Sequence, residues 1–352
     1  MSPLDTATNR QMETDVAKTR PARRGKPKSS AGAHLRLVES VKIDRSRDAL
    51  LTEFGKKTLE DRYLLPGESY QDMFARVATA YADDGEHAQR LYDYISRLWF
   101  MPATPVLSNG GADRGLPISC FLNSVGDSLD EIVGTWTENV WLASNGGGIG
   151  TYWGSVRSIG EKIGKNGQTS GIIPFIRVMD SLTLAISQGS LRRGSAAVYL
   201  DVHHPEIEEF LEIRKPSGDF NRKSLNLHHG LNISDAFMNA VANDEEFELK
   251  SPKSGEVVKT VNARKLWQKI IELRLQTGEP YIIFSDTVNN ALPAHQRKLG
   301  LKVRQSNLCA EIMLPTGFDH KGQERTAVCC LSSLNAAKYL EWKDEPDFIE
   351  DI

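Results

Sequence analysis

The hydrophobic pattern changes character along the chain. From about Arg45 to Phe100, apolar residues recur three and four positions apart, which predicts helices over 47–65, 70–83 and 86–100. Leu91, Tyr92, Ile95, Leu98 and Trp99 make one apolar stripe and are expected in a core. Proline and glycine then crowd residues 101–120 (MPATPVLSNGGADRGLPISC), the mark of an irregular loop. Beyond it, the pattern predicts a helix over 129–143, opened by a capping box of Ser128 and Glu131. Strands follow over 196–202, 225–233 and 281–285. Helices are expected over 206–214 behind Pro205, over 235–242 behind Ser234, and over 262–276 up to Gly278. Residues 326–335 (TAVCCLSSLN) read as a buried strand. Strands alternating with helices indicate α/β layers.

Composition adds little to this picture until its extremes are considered. A chain of 352 residues with formal net charge -3 and 40% hydrophobic residues is an ordinary globular sequence of one large domain or two. Residues 18–36 hold many Lys and Arg with almost nothing apolar, so 1–44 is expected to be a disordered basic tail. No aromatic residue is interleaved there for base stacking, which disfavours a nucleic-acid arm. No apolar run approaches bilayer length and no secretory core opens the chain, so the expectation is a cytoplasmic protein without a membrane partner. The four cysteines (Cys120, Cys309, Cys329 and Cys330) are too few for a disulfide scaffold, and any one of them is open to a reading as a small core residue. The eight histidines fall in no zinc-like spacing with them. His203-His204 and His228-His229 are expected as surface or strand-end residues, and no metal site is expected.

The chemistry concentrates in residues 306–316 (SNLCAEIMLPT). Asn307, Cys309 and Glu311 stand at alternate positions, and in an extended segment they share one face. A thiol, a neutral amide and a carboxylate on one face combine a nucleophile or radical carrier, an orienting group and a general base. Asn-x-Cys-x-Glu followed by Leu-Pro-Thr resembles the active-site loop of the ribonucleotide reductase large subunit, and the resemblance covers 45–352. It implies an α/β fold: a helical N-terminal lobe (45–115), then the first part of a ten-stranded α/β barrel (116–352) with this loop as a central finger. The family's barrel continues past the residues present here. A partial, split or truncated subunit is therefore expected, inactive and poorly soluble without a separate C-terminal half. No room is seen ahead of the lobe for the regulatory ATP-binding module of many relatives, so no switching by dATP through it is expected.

The resemblance also implies roles. Cys309 carries the thiyl radical, Glu311 takes the 3'-hydroxyl proton and Asn307 orients the sugar hydroxyls. Cys120 and Cys329 form the redox pair that ends as a disulfide. Ala-x-Cys-x-Leu-Ser selects Cys329 and leaves Cys330 as an inert packed thiol. Thr104, Ser119, Gly147, Gly148 and Asn307 contact substrate, although alone Ser119 reads as a turn hydroxyl and the glycine run as a turn or a close backbone approach. Asp127, Ser128, Arg157, Gln188 and Arg192 bind the effector. A second family arginine in the 157–171 loop is replaced near Gly164-Lys165. The implied activity is reduction of ribonucleoside diphosphates to 2'-deoxyribonucleoside diphosphates for DNA precursor synthesis. Its effectors are dNTP or ATP with magnesium, and its reductant is of thioredoxin or glutaredoxin type. A second copy of the chain makes a homodimer. Ser-Asn-Leu-Cys and Leu-Pro-Thr favour the oxygen-dependent class I, whose radical comes from a metal-containing small subunit. Arg192-Arg193 keeps open the class II enzymes that use adenosylcobalamin. A non-catalytic nucleotide-binding fragment is the remaining reading.

Overall fold

The computed structural model describes residues 41–165, 167–188 and 192–352, with the side chains of Ser187, Gln188 and Arg192 left out. Most of the expected basic tail, and the effector roles expected of the Gln188 and Arg192 side chains, lie outside what is described. Among the described residues, no helix is long and apolar enough to cross a membrane.

The N-terminal part is helical, as the apolar spacing predicts. Helices Glu53–Arg62, Tyr70–Tyr81 and Gly85–Ser96 are each opened by a side-chain cap. Thr52 accepts from Gly55 N–H, Ser69 from Asp72 N–H within a full capping box, and Asp84 from His87 N–H. The single helix expected over 47–65 is instead two pieces, because Thr52 starts a new helix after the 3-10 turn Arg45–Leu50. Leu91, Tyr92, Ile95 and Trp99 are buried with Met73, Phe74 and Val77, while Leu98, at φ 59°, is only half-buried where the chain turns out of the helix. Phe348 closes this core from the far end of the sequence, edge-on to Tyr94 at 4.9 Å.

The α/β part is an open six-stranded sheet. Its spatial order is Tyr281–Phe284, His228–Ile233, Ser195–Asp201, Gly148–Tyr152, Cys120–Ser124 and Ala327–Cys329. The first five run parallel and the last antiparallel. Alternation along each strand divides the sheet into two faces. Ile149, Ala196, Val198, Leu200 and Leu231 share a core with residues of helices Leu129–Ser144 and Ile173–Ala185. On the opposite face Tyr152, Ala197 and Tyr199 pack with Leu308 and Met313. Register puts Cys120, Gly148 and Ser195 side by side, then Leu122, Gly150 and Ala197.

Two strands of this sheet escaped the sequence reading. The glycine run of 145–150 continues as a strand whose missing side chains make room for residues 306–308. A Cβ on Gly150 would stand 1.9 Å from the Ser306 carbonyl oxygen, and one on Gly148 would stand 3.2 Å from Leu308 Cδ2. Cys120–Ser124 was hidden by the Pro/Gly-rich stretch before it. The strand expected over 326–335 is two short ones: Ala327–Cys329 pairs with Cys120–Ser124, and Ser332–Leu334 pairs with Phe100–Pro102. They are largely exposed rather than buried, and Cys330, expected as a packed thiol, is solvent-exposed.

The close approach at Gly150 gives a direct test. Gly150→Ala is expected to cost about 1–3 kcal/mol in urea unfolding, because backbone and not a pliable side chain must move. Gly134→Ala is the control: it lies mid-helix with nothing within 4 Å, so it should be neutral or slightly stabilising.

Candidate active site

Residues 306–316 do not form the extended segment that the alternation argument assumed. They turn at 308–310, with Ala310 N–H donating to Asn307 O at 3.3 Å and Ala310 in the left-handed region at φ 67°. Asn307 and Glu311 meet because of this turn. Asn307 Oδ1 accepts the N–H groups of Glu311 and Ile312, each at 3.1 Å, and its Nδ2 donates to Glu311 Oε1 at 2.9 Å. The same Nδ2 lies 3.2 Å from Cys120 Sγ. Tyr199, buried on the adjoining strand, donates its hydroxyl to Asn307 O at 2.6 Å. Asn307 is fully buried, whereas Cys309 and Glu311 are exposed at the apex.

Beneath the loop, Cys120 and Cys329 are direct partners across the antiparallel pair, and both carry free thiols. Partners in such a pair have Cα atoms about 4.5–5.5 Å apart, inside the window a disulfide requires. Burial, with the hydrogen bond to Cys120 next, pushes the Cys329 thiol up to about 12. It therefore stays in the thiol form near neutral pH. Ser119 sits beside the pair, its N–H donating to Cys329 O and its carbonyl accepting from Gly148 N–H. Its hydroxyl is buried and has no hydrogen-bond partner. Such an orphaned hydroxyl is costly unless something comes to meet it.

Not every expected residue joins this cluster. Gly147 lies over the Phe121 ring, so its missing side chain accommodates the protein itself. Thr104 begins the helix Thr104–Asn109, and its hydroxyl pairs with Tyr63 at 2.7 Å in a cleft lined by Leu51, Phe54 and Leu59. Tyr199 went unnoticed in the sequence. Its signal was strand alternation, which puts it on the face opposite the helices.

A second cluster forms where the Cys120 strand runs out. Arg157 Nη2 and Asp127 Oδ2 are 2.7 Å apart, Arg157 Nε reaches both carboxylate oxygens, and Arg157 N–H donates to Oδ1 at 2.9 Å. Ser128 caps the helix Leu129–Ser144 by accepting from Glu131 N–H. The loop that follows Arg157 is tied at both ends to residues 204–206. Glu206 accepts from Ile159 N–H at 3.0 Å and from Ile172 N–H at 3.1 and 3.2 Å, and His204 Nε2 meets Val156 O at 3.0 Å. Burial pushes Glu206 up to about 7 against the pull of those N–H donors, and burial brings His204 down to about 4. The other histidine pair opens the strand His228–Ile233. Both its rings face Glu279, at 2.5 and 3.0 Å, and hold that carboxyl down to about 2 although burial opposes them.

Residues 118–351 match the family model "Ribonucleotide reductase, barrel domain", and residues 49–115 match "Ribonucleotide reductase, all-alpha domain". The chain belongs to the ribonucleotide reductase large-subunit family. The ribonucleoside-diphosphate reductase large subunit of Invertebrate iridescent virus 3 is 39% identical over 368 residues, covering 89% of this chain and 56% of that protein. The large subunit of Arabidopsis thaliana is 33% identical over 331 residues, covering 85% of this chain and 40% of that one. Among solved structures, the Actinobacillus ureae class Id ribonucleotide reductase alpha subunit aligns with a TM-score of 0.71 at 30% identity, over 87% of this chain and 52% of that one. The chain thus spans about half the length of such relatives. The helical lobe and the open α/β sheet are the family's fold, with the barrel unclosed among the described residues.

The Glu206 clamp predicts a pH dependence. Its folded pKa of about 7 stands above the ordinary carboxyl value of 4.5, so its contribution to stability is full below pH 4.5 and is lost as pH rises through 7. His204 works in the opposite sense: its contribution is present above 6.5 and is lost as pH falls through 4. Comparing wild type with Glu206→Gln at each pH cancels the histidine. The wild-type advantage over the variant should shrink by on the order of 3 kcal/mol between pH 5 and pH 8 in urea unfolding. A difference that stays flat with pH removes the assignment.

Proposed function

We propose that this chain supplies the radical-carrying loop, the redox cysteine pair and the specificity-effector site of a ribonucleoside-diphosphate reductase. One observation carries the reading: the Asn307 amide bonds both Glu311 and the Cys120 thiol, under the apex that bears Cys309. A thiyl at Cys309 takes the 3'-hydrogen of a ribose, leaving a carbon radical, while Glu311 accepts the 3'-hydroxyl proton. The 2'-hydroxyl then leaves as water, protonated by a thiol of the Cys120–Cys329 pair. The raised pKa of Cys329 keeps it in the thiol form at neutral pH, so the pair enters the step reduced and protonated. The pair gives up two electrons and two protons in all and ends as a disulfide, and the hydrogen held by Cys309 returns to the 3'-carbon. An external dithiol then restores the pair by exchange. Ser119, with its unmatched hydroxyl, is the group set to meet the substrate beside the pair.

In this reading Arg157 and Asp127, paired in the unliganded chain, open to take the phosphates and sugar of a deoxynucleotide or ATP effector, with magnesium on the phosphates. Leu129, Val133, Trp141 and Leu184 present an exposed apolar face on the two adjacent helices, the surface for a second copy of the chain. The relatives are named large or alpha subunits, which favours a radical delivered by a separate, metal-containing small subunit.

In the full-length subunit with its radical source, Cys309→Ser is expected to lower deoxynucleotide formation below detection, and Glu311→Ala to lower it on the order of a hundredfold or more. Effector affinity should stay within about twofold in both, since the two clusters are separate. Appreciable turnover by either variant removes the mechanism. Asp127→Ala should blur the choice of substrate base under each effector, read by competition among the four nucleoside diphosphates. An unchanged preference rejects the effector site. Nucleotide binding with no reduction by the full-length wild type leaves only a binding module.

A further inference from the structure

The Asn307 loop has almost no backbone ladder of its own, so its position depends on side chains, and two of those have no part in the chemistry above. Gln305 and Thr316 stand at its two ends, 0% and 2% exposed. Gln305 Nε2 donates to Thr316 Oγ1 at 3.0 Å and to Asn123 O at 3.0 Å. The Thr316 hydroxyl also lies 2.6 Å from Ser124 Oγ. Both anchors, Asn123 and Ser124, belong to the strand that begins at Cys120. The Asn123 side chain points to the other face of the sheet, where Nδ2 donates to Glu138 Oε2 and Asn139 Oδ1 at 2.8 Å each, and Oδ1 accepts from the Thr151 hydroxyl at 2.8 Å.

Burying this many polar groups is unfavourable unless they bond one another, and a satisfied network specifies one arrangement. Here the arrangement closes the base of the loop and fastens it to the strand of the first redox cysteine. We propose that Gln305 and Thr316 are positioning residues, a buried clasp that sets where Asn307 and Cys309 stand over the Cys120–Cys329 pair. The clasp rests on the reductase reading only for what the loop does chemically. Its geometry is tested without turnover.

The test uses the hydroxyl of Thr316. Thr316→Val removes it at nearly constant volume, and Thr316→Ser keeps it. Iodoacetamide labelling of the 352-residue chain, followed by mass spectrometry, reads each cysteine separately, with exposed Cys330 as the internal reference. In wild type Cys120 is protected by the loop and by burial. Thr316→Val should raise the Cys120 rate relative to Cys330 about tenfold, equivalent to ~1.4 kcal/mol of local protection, while Thr316→Ser stays within about twofold of wild type. Gln305→Leu should behave as Thr316→Val, and it is the measurement used if the valine variant does not fold. Cys120 equally protected in Thr316→Val and Gln305→Leu overturns the clasp, as does equal deprotection by valine and serine. In the full-length subunit Thr316→Val should lower kcat about tenfold or more with KM within about twofold, the signature of a displaced loop and not of lost binding. An unchanged kcat also overturns it. A wild-type subunit that reduces no nucleotide, yet whose Cys120 protection follows the hydroxyl, removes the reductase reading and leaves the clasp standing.

Discussion

The cysteine cluster depends on a loop backbone lying directly on a β-sheet, and that requires a strand with no side chains where the two meet. At Gly150 the Ser306 carbonyl fills the volume that a Cβ would occupy, and at Gly148 the Leu308 side chain nearly does. A side chain at Gly150 would lift the loop from the sheet by about its own thickness. Asn307 would then lose Cys120, and Tyr199 would lose the Asn307 carbonyl. The two thiols need no such help, since strand register alone makes Cys120 and Cys329 neighbours. What the glycines add is the Asn307 amide, brought to Cys120 by a segment with no strand of its own.

Parity along the strands explains why one sheet serves two kinds of neighbour. Cys120, Leu122 and Ser124 align with Gly148, Gly150 and Tyr152 and look toward the loop. Phe121 and Asn123 align with Ile149 and Thr151, on the helix side, where Asn123 bonds residues of Leu129–Ser144. These two strands therefore send Phe121, Ile149, Asn123 and Thr151 to a helix-covered core, and Cys120 with the bare Gly148 and Gly150 to the opposite surface. A parallel sheet in an α/β layer normally buries two apolar faces under helices on both sides. In this chain the second face is covered by a loop carrying an exposed thiol and an exposed carboxylate.

The sequence made some of this plain and concealed the rest, for reasons that lie in particular residues. Helix starts at Ser128 and Ser234 were legible because a cap needs only one oxygen at one position, and both caps form. The Gly148–Tyr152 strand was not, because glycine carries little strand preference. A run of it advertises a turn as much as a close approach. The trio of Asn307, Cys309 and Glu311 was picked out by residue type, but the alternation argument for it assumed an extended segment. A turn through Ala310 does the work instead, bringing positions 307 and 311 together and sending 309 to the apex. Alternation correctly separated Cys329 from Cys330, yet burial cannot be read from alternation. Cys330 faces solvent because the strand lies at the sheet's edge.

The same geometry places the two clusters at opposite ends of one strand. Cys120 begins it, and Asp127 follows three residues after its last residue, Ser124, with Arg157 held against it. Between them, Asn123 gives its carbonyl to the loop base and its amide to the helix Leu129–Ser144, which starts just after Asp127. A strand inside a sheet resists sliding, because moving it by one residue would swap the two faces. Small tilts that keep the ladder intact are cheaper, and any tilt moves the Asn123 carbonyl and side chain together. The loop base and the helix are thus fastened to a single peptide, so neither can shift far without straining hydrogen bonds that are buried and fully used. That makes the position of the apex cysteine a property of the sheet and its helices together, and not of the loop sequence alone.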